Sequence, residues 1–212
     1  MTVFPQRQTA SATTGHRLGG PAGNTILTAA TASVLTILLA AEGLTILNLN
    51  ALRTPHMLIG LVLIPPLLVK LGSTGYRMVR YYTGARPYVE KGPPALPLRV
   101  LAPLLVAATI SVFASGVAML LLGHTSDTAM LIHKASFFVW GGLFVIHFVS
   151  YLPRVLRSLR ADWHARRRRE VPGAELRLML ITGSLGAGLA LALLLLPLVT
   201  GFHGGGHHHD LR

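Results

Sequence analysis

The chain of 212 residues contains no cysteine and little charge. Only 12% of its residues are Asp, Glu, Lys or Arg, against about 25% in soluble globular domains. Without cysteine, a disulfide-stapled secreted scaffold is excluded, as are zinc fingers and iron–sulfur clusters held by thiolates. Acidic residues are the scarcest charges, 7 against 19 Lys and Arg, which leaves a formal net charge of +12. Such basicity on a soluble fold would point to nucleic acid. Here too few charges remain to cover a soluble surface, and the 51% hydrophobic residues come in long blocks. An integral membrane protein with the lipid bilayer as partner fits; a nucleic-acid partner does not.

Five apolar blocks are present, at about 25–49, 55–79, 100–123, 129–152 and 178–201. Each is long enough to cross a hydrocarbon core about 30 Å thick at about 1.5 Å per residue. None alternates as a barrel strand would, so the expected fold is an all-α polytopic bundle of five transmembrane helices. The short connections after the first and third blocks make antiparallel hairpins. Residues 1–24 are polar and read as a disordered cytoplasmic tail. Residues 25–201 form the transmembrane domain, and 202–212 a flexible His-rich tail. The first span reads as an uncleaved signal anchor.

The basic residues sort by side. Arg7 and Arg17 lie in the tail, and Arg77, Arg80, Arg86, Lys91 and Arg99 near the first long loop. Arg154, Arg157, Arg160, Arg166–Arg169 and Arg177 lie near the second, so 15 of the 19 share one face. The positive-inside rule then puts the N-terminus in the cytoplasm and the C-terminus outside, in a multi-pass protein of the plasma membrane. The Arg166–Arg169 run serves as a topology signal in contact with anionic headgroups.

Polar residues at membrane depth are costly and are functional candidates. They are Glu42, His56, Lys70, His133 and His147. His133 and His147 stand 14 residues apart, about 40° short of four whole helical turns, so both face the same way about 21 Å apart. Phe137, Trp140 and Phe144 lie between them on that face. His56 in the second span matches the depth of His133, and Lys70 that of His147. Gly60, one turn after His56, leaves room for a ring near the backbone, while Pro65-Pro66 is expected to distort the angle of the helix. An aromatic strip between two histidines suits a flat macrocycle standing between helices, and haem iron accepts axial imidazole.

The outer pair, His56 with His133, therefore reads as the axial ligands of one haem b. His147 is the candidate ligand of a second haem, with Lys70 pairing a propionate, ligating iron or snorkelling. Glu42, near the depth of His56, reads either as a neutral hydrogen-bonded acid or as support for a histidine ligand or a proton acceptor beside a quinol. His124 and Lys134 are interfacial. Gly183, Ser184, Ala187 and Gly188 form overlapping small-residue pairs for close packing within the bundle or in a homo-oligomer. His203 and His207–His209 belong to the tail, which is either a loose Cu²⁺, Zn²⁺ or Ni²⁺ binder or simply solvated.

His56 at the head of one span, with Leu131-Ile132-His133-Lys134 and His147 in another, resembles the membrane-embedded b-type cytochromes. These include the di-haem cytochrome b and ferric-reductase-like proteins and small bacterial haem-binding anchors. The resemblance covers about 51–152; the stretch 54–91, with Pro65-Pro66 and Tyr81-Tyr82-Thr83-Gly84, also resembles actinobacterial membrane proteins of this sort. It implies His56, His133 and His147 as haem ligands and electron transfer between the quinone pool and a redox partner protein. The sequence departs from the two-haem pattern at Lys70, where a histidine would be expected. No nucleophile, phosphate loop or nucleotide domain is visible, so an electron-carrying subunit is expected rather than a self-sufficient enzyme. A proton- or ion-coupled transporter or channel subunit using the same His, Lys and Glu is the rival reading, and a cofactor-free anchor the third.

Overall fold

The computed structural model describes residues 19–92, 96–122, 127–162 (backbone alone from 152) and 171–202. The tail 1–18, His124, Arg166–Arg169 and the His-rich tail from His203 lie outside the described residues. The described chain is helical: α1 (Gly20–Ile46), α2 (Leu49–Tyr82), α3 (Arg86–Val89), α4 (Leu96–Leu122), α5 (Asp127–Asp162), α6 (Ala174–Leu194) and α7 (Leu196–Gly201). Five of these helices are long and apolar enough to cross a membrane: α1, α2, α4, α5 up to Tyr151, and α6. Their outward faces carry large apolar side chains, among them Ile37, Leu131, Phe138 and Leu194 at 68–76% exposure. Lipid, not water, is the solvent such a surface fits.

Helix α1 begins at Gly20, ahead of the expected 25, with Pro21 in its first turn, where a missing N–H costs nothing. The fifth block is not one span to 201. Helix α6 starts earlier, at Ala174, and breaks at Leu195, and α7 restarts with Pro197 in its first turn. Proline there cannot donate to the carbonyl of Leu193, so the α6 ladder ends just before it.

Helix α2 is the centre of the molecule, packed on α1 along one side and on α6 along another. Its prolines act otherwise than expected. Only Leu52, three residues before Pro55, leaves helical dihedrals (φ −110°, ψ 20°), while the helix runs through Pro65 and Pro66 unbroken. Pro66 has no N–H for the Val62 carbonyl. Helix α6 passes directly over that carbonyl at Gly188, where an added Cβ would fall 3.1 Å from both Val62 Cα and its carbonyl carbon and closer still to the oxygen. The small-residue stripe thus serves packing within the bundle. Its buried row is Ser184, Gly188 and Ala192, whereas Gly183 and Ala187 face outward.

At the other end of the same interfaces, Asn24 donates to the Ser73 carbonyl at 3.0 Å and the Thr28 and Ser73 hydroxyls bond at 2.9 Å. Arg177, counted among the loop cations, is in fact only 4% exposed and donates to the Pro172 carbonyl at 2.6 Å. Helices α4 and α5 form a second hairpin, packed on each other. The α2–α5 pair is not among the closely packed ones.

Candidate functional site

The hairpin of α1 and α2 places Glu42 beside His56, as their matched depths suggested. Glu42 Oε1 lies 2.8 Å from His56 Nδ1. The Thr45 hydroxyl donates to the Glu42 carbonyl oxygen at 2.6 Å and so offers its lone pair to the same Nδ1 at 3.1 Å. Both side chains are largely covered, 23% and 13% exposed for His56 and Glu42. A Cβ at Gly60 would sit 3.7 Å from Glu42 Oε1, an ordinary contact distance. Glu42 Oε2 is buried with no hydrogen-bond partner among the described residues.

Across the seam, α5 presents His133 and α4 anchors it. His133 Nδ1 donates to the Val112 carbonyl at 3.0 Å, and the Ser115 hydroxyl lies 3.2 Å away. The serine proton is committed to the Ser111 carbonyl at 2.6 Å. Gly116 lies under the ring, where a Cβ would stand 3.2 Å from His133 Cε1. A carbonyl can only accept, so the His133 proton sits on Nδ1; a carboxylate partner sets the same tautomer for His56. In the neutral form with its proton on Nδ1 each imidazole keeps its Nε2 lone pair, and neither Nε2 has a hydrogen-bond partner among the described residues. The two rings lie edge-on to one another, with centroids 6.4 Å apart and planes at 81°. Imidazoles from two helices thus meet where the helix backbones do not pack.

The aromatic strip forms, but it turns towards α4. Phe137, Trp140 and Phe144 stack in sequence along α5 and continue to Phe148, and Trp140 Nε1 donates to Thr109 Oγ1 at 3.1 Å. It stiffens the α4–α5 hairpin that carries His133. Lys70 points to α1, donating to the Thr28 carbonyl at 2.8 Å. His147 stacks on Tyr151 one turn along its own helix at 4.6 Å, and lies near enough to Lys70 to feel its charge. The structure gives this inner pair no shared contact comparable to the outer one.

Thr45, Val112, Ser115 and Gly116 were not singled out from sequence. Thr45 was within reach, one turn after Glu42 on the face opposite His56. The Val112 contact uses a backbone oxygen, which leaves no mark in the residue type. Among the described residues, no group of three or more His, Asp or Glu side chains is placed to hold a metal ion. Comparison of the chain with protein-family models, curated proteins and solved structures gives no match.

Proposed function

We propose that the chain is a b-type cytochrome of the plasma membrane, with one haem b between α2 and α5 held by Nε2 of His56 and Nε2 of His133. The observation that carries this reading is the edge-on imidazole pair with both Nδ1 atoms tied to acceptors. The 6.4 Å between the ring centroids is a separation at which His56 and His133 would both reach one metal ion, given metal–nitrogen bonds of about 2 Å. Metal-ligating histidines usually give their other N–H to a carboxylate or a backbone carbonyl, and Glu42 and Val112 supply one of each. A two-imidazole donor set suits an ion that brings its own ring of ligands, as haem iron does.

The bound haem would supply one-electron chemistry. The chain would orient it, tune it through Glu42 and Val112, and shield it from water. In this reading electrons pass from a quinol to a redox partner protein, with the N-terminus in the cytoplasm. His147 and Lys70 offer no matched ligand pair, which favours one haem over two.

The rival, a proton or ion relay, draws on the same Glu42–His56 contact and its buried Oε2. The absorption spectrum of protein expressed with adequate haem separates them. A Soret band with sharp α and β bands on dithionite reduction is expected; their absence would sink the cytochrome.

A further inference from the structure

At the end of the bundle where α2 emerges, cations gather, and none of Arg77, Arg80 and Lys91 makes an ion pair among the described residues. Lys91 reaches back from the loop after α3 to donate to Thr25 Oγ1 on α1. Arg77 on α2 is close enough to act on its charge. Burial first, and then Arg77, hold the Lys91 ammonium below the ordinary lysine pKa. One turn on, Arg80 has its Nε buried without a partner among the described residues. Arg80 lies one turn beyond Tyr76, against which Tyr88, 3% exposed, packs edge-on at 6.0 Å. Burial and the Tyr76 contact raise the Tyr88 pKa, so the ring stays a neutral phenol and provides no anion. Glu90, the acid of this loop, makes no ion pair here among the described residues.

Three cations from two elements thus converge on one place, and one of them buries a donor with nothing to receive it. An orphaned buried donor costs free energy that a fitting acceptor would recover. An anion with several oxygens answers both needs, since guanidinium and ammonium groups bind phosphate strongly. The position favours one source of phosphate. The cluster lies where the span ends, tyrosines mark the interface, and exposed Met78 and Val79, between the two arginines on the same turn, offer apolar surface for an acyl chain.

We propose that Arg77, Arg80 and Lys91, floored by Tyr88, form a binding site for the phosphate headgroup of an anionic phospholipid. The proposal stands independently of the haem reading.

Native mass spectrometry of the delipidated full chain in neutral detergent tests it, with phosphatidylglycerol, phosphatidylcholine and inorganic phosphate as probes. Phosphatidylglycerol should bind at least tenfold more tightly than phosphatidylcholine. Arg77→Gln/Arg80→Gln/Lys91→Gln should lose that preference, and Arg53→Gln, at the opposite end, should keep it. If the triple variant elutes as misfolded protein, Lys91→Gln alone, in the loop after α3, should still lower the preference at least threefold. Equal binding of the two lipids would overturn the proposal, as would a wild-type preference in the folded variants. Displacement of phosphatidylglycerol by millimolar inorganic phosphate would show a free-phosphate site and overturn it too.

Discussion

Glu42 and His56 come from different helices and meet at 2.8 Å, carboxylate oxygen to Nδ1. This contact fixes the imidazole's tautomer and its rotation about α2, so it decides whether Nε2 can point across the seam to His133. Removing the carboxylate leaves only the Thr45 hydroxyl, at 3.1 Å, to hold Nδ1. Glu42→Ala should therefore weaken haem binding 10- to 100-fold, the usual cost of losing such a partner. Glu42→Gln, which keeps an accepting oxygen, should lose much less. Titration of haem into the apo variants measures both.

Gly116 is expected to matter for the same ring from the opposite side. Gly116→Ala puts a methyl 3.2 Å from His133 Cε1, tight enough that the imidazole must give by a few tenths of an ångström against its Val112 hydrogen bond. The haem content should fall, or the reduced bands should move, while both ligands remain in the sequence. Gly141→Ala, on the same helix as His133 with nothing within 4 Å, should leave the spectrum unchanged.

The Val62–Gly188 crossing is a matter of stability and not of chemistry. A methyl at position 188 meets backbone, which cannot yield as a side chain can. Gly188→Ala should cost about 1–3 kcal/mol, the range for overpacking, read as a lowered midpoint of thermal unfolding in detergent. Gly186→Ala, two residues away with nothing within 4 Å, should not lower it, since alanine favours helix by up to about 1 kcal/mol.

The inner histidine gives a sharper test of haem number. With Lys70 engaged by the Thr28 carbonyl and His147 stacked on Tyr151, no opposing imidazole faces His147 among the described residues. His147→Ala should keep the full haem content of the wild type, measured per chain. Loss of half the haem would instead establish a second site in the inner layer.

The spans were legible in the sequence because a 20-residue apolar block in a chain with so few charges has few other uses. The pairing of depths was legible as well. Counting from the short turn after Ile46 placed Glu42 level with His56, and the fold brings them into contact. Helix rotation was not legible. Gly183/Ala187 and Ser184/Gly188 are equally good small rows by spacing, and only packing on α2 selects the second. Phe137, Trp140 and Phe144 share a face with the histidines by spacing, but spacing does not tell that the Thr109 hydroxyl on α4 accepts from Trp140. Proline positions misled for a related reason. Pro65-Pro66 keeps its helix where α6 fills the space beside the freed carbonyl, while Pro55, near the hairpin turn, sits beyond a distorted Leu52.

The most direct measurement is the haem-to-protein ratio of the wild type, His56→Ala and His133→Ala, each purified from cells supplied with haem and checked for folding by its elution profile. A bis-imidazole site between α2 and α5 requires about one haem per chain in the wild type and almost none in either variant, since each ligand is half of the axial pair. A wild type without haem, or two folded variants that both retain the wild-type ratio, would contradict it.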